Sequence, residues 1–326
     1  MGALVQLDAS PFAWLEGRGP TMSLHGAIDD ATGTVLALHF RPTEDLHGYT
    51  TLLAALATQY GLPLAFYGDR LNVFLRNDAH WTLEEELHGA QTPTHFGQML
   101  RALGIGFIPA GSPQAKGRIE RLWRTLQDRL TVELRLHGIT TGAAATAFLP
   151  HFLADFNRRF THAPADTTAV WRTAPRDLAA VLSCRYSRRV SADNVVRLGG
   201  RVIQLPRRPH GQTTAGRRVD VHECVDGRLI VRLAGQPLVV QPSPGPDFAL
   251  KPRRAPRAGE GERRRPSTNA SEAGGRHPPI PPNAAPSPPA RPAPATPRRP
   301  APSHPWRHST PYSRRTRSPS LIPAQG

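Results

Sequence analysis

The sequence predicts an α/β core, then a small all-β domain, then a basic tail without fixed structure. Three observations carry that prediction. Over residues 1 to 180, short apolar runs alternate with segments whose apolar residues recur at helical spacing. Over residues 185 to 242 the pattern changes to alternation of apolar and polar residues. From 251 to 326, 19 of the chain's 35 prolines gather with 15 Lys/Arg against 3 Glu.

The elements follow in order. "ALVQLDA" is an apolar run that ends in an acid and reads as a buried strand. "SLHGAIDDATGTVLALHF" is two β-rich runs around a glycine-bearing turn, a hairpin in which Asp29 and Asp30 serve the turn. "DLHGYTTLLAALATQYG" has helical spacing and a terminal glycine as its stop signal. "LPLAFYGD" is a second strand ending in an acid, "TPTHFGQMLRALG" a helix closed by Gly104, and "IGFIPA" a short strand. A long helix begins at Gly117, because Ile119, Leu122, Trp123, Leu126 and Leu130 keep the rhythm of a buried stripe. "HFLADFNRRF" marks one more helix before a proline-punctuated connector.

"RVIQLP", "RRVDVHECV" and "RLIVRLAGQPLVV" then alternate, with Asp226–Gly227 as a hairpin signal, so residues 185–242 form a small barrel-like domain. The tail holds too few apolar side chains to offset its ordering entropy and is expected to be disordered or polyproline-like. Net charge is +16, of which residues 251–326 supply +12. An anionic partner is therefore expected, nucleic acid first, with the tail contacting DNA phosphates. Cys184 and Cys224 lie far apart with no CxxC spacing, which argues against a zinc site and a disulfide framework. No apolar run approaches the roughly 20 residues of a membrane span, and no signal-peptide core is visible at the N-terminus. The expected location is the cytoplasm.

Two predicted strands deliver an aspartate at or near the C-terminal end, Asp8 and Asp69, and the long helix opens with Glu120. Glu120 stands among Lys116, Arg118, Arg121 and Arg124, an acid inside a basic cluster. Three carboxylates brought together repel unless cations neutralise them, and hard oxygen ligands suit Mg²⁺ or Mn²⁺. Two such ions about 4 Å apart activate an attacking oxygen and stabilise the leaving oxygen of a phosphodiester. Competing acids have plainer readings. Glu84, Glu85 and Glu86 form an exposed acidic run or a helix start and Asp78 lies in a loop, while His25, His39 and His95 lack a ligand spacing.

Four blocks in this order, "QLDASPFAWLEGRGP", "AIDDATGTVLALHF", "FYGDRLNVF" and "SPQAKGRIERLWRTLQDRLTVELRLHGI", resemble the DDE transposases of bacterial insertion sequences, the ISNCY group in particular. The likeness runs from about Val5 to Phe160, continues more weakly through "SCRYSRRVSADNVVRLGGRVIQLP", and returns in "HPWR" at 304–307. It implies an RNase H-like core, similar to the retroviral integrase core, with a mixed sheet flanked by helices. It implies Asp8, Asp69 and Glu120 as catalytic acids holding two Mg²⁺ or Mn²⁺ ions, and Gln114, Lys116, Arg118, Arg121 and Arg124 as DNA contacts. It also implies DNA partners, the transposon ends and the target, and assembly of like subunits on DNA at the nucleoid.

Trp14 and Glu16 match the family's "WxEGRG" pattern, Trp14 being either a base-stacking or a buried aromatic residue. Residues "LRNDAHWTLEEELHGAQTPT" read as an insertion that lengthens the gap between Asp69 and Glu120. Members of the group carry a helix-turn-helix region before the first catalytic strand, whereas Met1 stands seven residues before Asp8. The expectation is a truncated, mis-started or split copy. Two other functions stay open at this point: a non-catalytic DNA-binding chain that joins and inhibits full-length subunits, and an RNase H-like nuclease with a cellular role.

Overall fold

A computed structural model describes residues 1–76, 78–111, 117–207 and 211–253. All lie in the first of two compact units, Met1–Glu260; the second, Gly261–Gly326, holds most of the predicted tail and "HPWR" and falls outside the described residues. Gln114 and Lys116 also lie outside them.

The core is built on a five-stranded mixed sheet. Its strands are β1 (Leu4–Phe12), β2 (Met22–Asp29), β3 (Val35–Arg41), β4 (Ala65–Gly68) and β5 (Gly106–Pro109), in the order β3-β2-β1-β4-β5. The hairpin half, β1 to β3, is antiparallel, while β1–β4 and β4–β5 are parallel. This is the predicted integrase-like core.

Strand alternation sorts the side chains into two layers. Val5, Leu7 and Phe66 pack under α1 (Leu46–Gln59) and α3 (His95–Leu103). Leu24, Val35, Leu38 and Phe40 pack under α4 (Gly117–Leu136) and α5 (Gly142–Phe160). The whole α4 stripe is buried, Ile119, Leu126 and Leu130 completely. Each such side chain contributes roughly 1.5–3 kcal/mol.

Helix ends follow their chemistry. Asp45 caps α1 by accepting from Gly48 N–H at 2.8 Å, and Thr94 caps α3. Gly104 closes α3 at φ +63°, a conformation a side chain resists. A short helix, α2 (Leu83–His88), sits in the predicted insertion and carries a capping box between Thr82 and Glu85. There the helix-start reading of Glu84–Glu86 holds, but the run is not wholly exposed: Glu85 is buried and paired with Arg76. Asp29, buried in the β2–β3 turn, accepts from Gly2 N–H, Thr32 N–H and the Thr32 hydroxyl, the turn role expected of it.

Two boundaries differ from the sequence prediction. Strand β1 continues four residues past Asp8, because its antiparallel pairing with β2 runs on to Phe12↔Met22 after the parallel pairing with β4 has ended at Gln6↔Tyr67. Asp8 is therefore inside a strand, at the point where one neighbour stops. Helix α5 begins nine residues before "HFLADFNRRF": Thr141 caps it, alanines extend it, and Pro150 sits inside it on the exposed side.

After α6 (Leu178–Val181) the chain is all β. Strands β6 (Ser183–Arg189), β9 (Arg218–Cys224), β10 (Leu229–Leu233) and β11 (Gln236–Gln241) form a sheet ordered β11-β10-β9-β6, with β7 (Val195–Leu198) and β8 (Arg201–Gln204) as a separate ribbon. The Asp226–Gly227 turn joins β9 to β10 as predicted. Cys184 and Cys224 are buried free thiols, pushed up to about 12 and about 11 by desolvation. The β strands share one hydrophobic cluster with the α1–α3 layer, and Leu250 N–H donates to His47 Nδ1 at 3.0 Å, tying the last described segment back to α1.

Candidate catalytic carboxylate site

The site is set by how α4 lies on β1. Gln6, Asp8 and Ser10 alternate onto the α4 side of the sheet, and each meets that helix. Ile119 N–H donates to Gln6 Oε1 at 3.3 Å, Trp123 Nε1–H to Asp8 Oδ2 at 2.9 Å, and Gln127 Nε2–H to Ser10 Oγ at 3.2 Å. Two strand residues advance about 6.7 Å and four helix residues about 6 Å, so strand and helix stay in step across three contacts. Gly26 stands opposite Asp8 in β2, and a Cβ there would lie 2.7 Å from the Trp123 ring. The glycine makes room for the indole that holds the carboxylate.

Asp69 directly follows β4. β4 is the parallel neighbour of β1, and Asp69 lies two residues past their last paired position, Gln6↔Tyr67. Its Oδ1 accepts from Leu71 N–H at 3.1 Å, which turns the chain sharply after the strand. The two aspartates act together on a third group: both raise the hydroxyl pKa of buried Tyr49, after the larger effects of desolvation and of Glu44.

Glu120 lies one residue beyond Ile119 in the first turn of α4, with its side chain exposed, and one turn before Trp123. A carboxylate there is favoured by the helix dipole. Among the described residues no three His, Cys, Asp or Glu side chains are gathered closely enough to hold a metal ion. The three acids offer hard carboxylate oxygens from β1, from the residue after β4 and from the first turn of α4.

The basic residues divide. Arg118 is paired with Asp30 at 3.0 Å, and Asp30 also accepts from Gln6 Nε2 at 2.8 Å, so this arginine ties the start of α4 to the sheet. Arg121 donates to Gly117 O at 3.0 Å, and Arg124 is exposed on the same helix. Trp14 is fully buried and donates to Ser10 O, which settles its role as core. Glu16 pairs with Arg18 and Arg135, while Arg18 also donates to Leu134 O and Ile139 O at the end of α4.

The histidines belong to packing. His25 is buried against Tyr49, with ring centroids 4.9 Å apart, and its Nε2 accepts from Asp45 N–H. Desolvation lowers it to about 4, and its cross-strand partner His39 likewise. Tyr49 and Glu44 are the site neighbours that the sequence did not single out. Neither lies in a motif, and only the fold brings the Tyr49 hydroxyl to the Glu44 carboxylate.

No family model matches the sequence. The chain is 39% identical over 240 residues to the putative transposase y4bF of Sinorhizobium fredii (strain NBRC 101917 / NGR234), covering 73% of this chain and 51% of that protein. It is 39% identical over 160 residues to the transposase for insertion sequence IS1202 of Streptococcus pneumoniae, covering 49% of this chain and 33% of that protein. The chain thus spans about half the length of the first of these relatives and a third of the second. Among solved structures, the HTLV-2 integrase catalytic core in complex with magnesium matches with a TM-score of 0.30 at 14% identity, over 45% of this chain and 81% of that one. A simian T-cell lymphotropic virus intasome in complex with PP2A regulatory subunit B56 gamma matches with a TM-score of 0.35 at 13% identity, over 75% of this chain and 80% of that one.

Proposed function

We propose that this chain, a homologue of the transposases of bacterial insertion sequences, is the catalytic portion of such an enzyme, cutting and rejoining DNA strands through Asp8, Asp69 and Glu120. The observation that supports this most is the β1–α4 contact. It fixes Asp8 through Trp123, Glu120 lies one turn before Trp123 on the same helix, and Asp69 directly follows β4, the parallel neighbour of β1.

In this reading Asp8 and Asp69 would hold two Mg²⁺ or Mn²⁺ ions, with Glu120 completing the ligand set from α4. Bound there, the cation supplies charge neutralisation at phosphorus and a more acidic water or 3′-hydroxyl. The chain's own residues do the rest. Trp123 keeps the Asp8 carboxylate from rotating away, and the Leu71 N–H does the same for Asp69. Arg121 and Arg124, exposed on α4, contact the DNA backbone together with Gln114 and Lys116, whereas Arg118 is partly committed to Asp30. Such contacts position DNA without specifying sequence. The reaction is strand cleavage by water followed by transfer of the freed 3′-hydroxyl to a target strand, carried out by paired subunits at the nucleoid. Among the described residues no helix is long and apolar enough to cross a membrane.

The test is a magnesium titration of nicking and end joining on DNA carrying the element's ends, with the wild type beside Asp8→Ala, Asp69→Asn and Glu120→Ala. Activity in the wild type alone supports the reading. Equal, background-level products from all four proteins would point to a non-catalytic, DNA-binding regulator. That regulator is recognised separately by whether it lowers the transposition frequency of a co-expressed full-length enzyme.

A further inference from the structure

Helices α1, α3 and α5 each begin with a cap from their own sequence, Asp45, Thr94 and Thr141. Helix α4 begins differently. Ala115 and Lys116, the two residues before Gly117, have no side-chain acceptor to offer its first turn. The acceptor comes from another element: Gln6 of β1 takes the Ile119 N–H at 3.3 Å, in a buried contact. The first N–H groups of a helix have no partner within it, so a buried one has to find its acceptor elsewhere.

Gln6 is well placed for this. Its backbone is paired with Ile28 in β2 and with Tyr67 in β4, and only 4% of the residue is exposed. Its amide has one workable orientation. Oε1 has to face the Ile119 N–H, because only the oxygen accepts, and Nε2 then faces Asp30 Oδ1, 2.8 Å away. Asp30 pairs in turn with Arg118 Nε at 3.0 Å, and its own N–H donates to Leu4 O. Arg118 and Ile119 are consecutive residues of α4, so the chain of contacts closes on itself. The next residue is Glu120. It stands between two points where α4 is bonded to β1, Ile119 to Gln6 and Trp123 to Asp8.

We propose that Gln6 is a positioning residue for Glu120: a cap supplied by β1 that fixes the first turn of α4, its amide aimed by Asp30. This inference rests on the carboxylate reading above, in which Glu120 is a ligand. Partners that orient a ligand from behind are worth about 10- to 100-fold in metal affinity.

The test is Mn²⁺ binding to the full chain, read from the electron paramagnetic resonance signal of free Mn²⁺, with thermal midpoints and amide exchange at Ile119 measured in parallel. The proteins are the wild type, Asp69→Asn, Glu120→Gln, Gln6→Met, Asp30→Ala, and the last two each combined with Glu120→Gln. Met matches Gln in length and fills its space without the oxygen. Asp30→Ala changes a partly exposed residue and leaves Gln6 in place, so it carries the test if the melt shows Gln6→Met unfolded. Both single variants are expected to bind Mn²⁺ about ten-fold more weakly. Each double variant should bind no more weakly than Glu120→Gln alone, since nothing is then left to position. The Ile119 amide should be protected in the wild type, unusual for a first turn, and exchange faster in both single variants. Single variants that match the wild type, or losses that multiply in the double variants, overturn the inference and leave the carboxylate site standing. If Glu120→Gln abolishes binding, Ile119 decides, and fast exchange there in the wild type overturns the inference by itself. If the wild type binds no Mn²⁺, or Asp69→Asn and Glu120→Gln bind it equally well, the carboxylate reading falls and this inference with it.

Discussion

Trp123 does two jobs with one side chain. Its ring fills the α4 layer and its indole N–H holds Asp8. Trp123→Phe keeps most of the packing and removes the donor. The expected outcome is a loss of about 1 kcal/mol in unfolding free energy but a ten- to hundred-fold fall in Mn²⁺ affinity and in nicking rate. A calorimetric scan set beside a metal titration separates the two. The sequence showed Trp123 as one tooth of a helical stripe; its polar role depends on which strand residue it faces, and no spacing rule contains that. His25 gives a second residue-scale outcome. In the unfolded chain this imidazole protonates near 6.5, and in the folded protein near 4. Between those values the unfolded state binds more protons, so its contribution to stability is present above 6.5 and is lost as the pH falls toward 4. An NMR titration of the His25 ring checks this, and a midpoint near 6.5 in the folded protein would contradict it.

At the scale of elements, Gly26→Ala is the sharpest probe. The added methyl meets the Trp123 ring at a distance real carbons do not tolerate, so α4 must lift from β1 or the hairpin must shift. Overpacking of this kind costs about 1–3 kcal/mol, and the hydrogen bond from Trp123 to Asp8 should break with it. Chemical denaturation together with Mn²⁺ binding reads both effects. Thr82→Ala in the insertion, by contrast, removes a cap worth about 0.5–2 kcal/mol from a short helix remote from that hydrogen bond. It is expected to raise amide exchange in α2 while leaving Mn²⁺ affinity unchanged. Helices α1 and α3 were legible because helical spacing is followed by a glycine stop signal, Gly61 and Gly104, and α4 because its apolar stripe keeps a clean period. Where the prediction stopped short, a local rule lost to tertiary context. Pro150 reads as a helix breaker but sits on the exposed side of α5, and Asp8 reads as a strand end but is followed by four more residues paired with β2.

For the whole molecule, charge is unevenly divided along the sequence. Most of the +16 lies in residues 251–326, while residues 1–250 set 26 Lys/Arg against 22 Asp/Glu. A chain ending at Arg253 is expected to bind DNA with a clearly shallower dependence on salt, since every phosphate left without a basic partner takes about 0.9 off the logarithmic slope. Binding measured across a salt series, with and without residues 254–326, decides it; identical slopes would place the electrostatic footprint on the folded unit. Arg253 has to be kept, because it pairs with the fully buried Glu223. The match in pitch between β1 and α4 also limits how this protein can change length. Dropping or adding one position between Gln6 and Ser10, or between Ile119 and Gln127, throws the two elements out of phase and turns an acid away from its counterpart. Surplus chain is tolerated only where that meshing does not extend, and the stretch from Arg76 to Thr92, bracketed by the two later acids, is such a place. Relatives should differ in length there and keep the meshed stretches free of gaps.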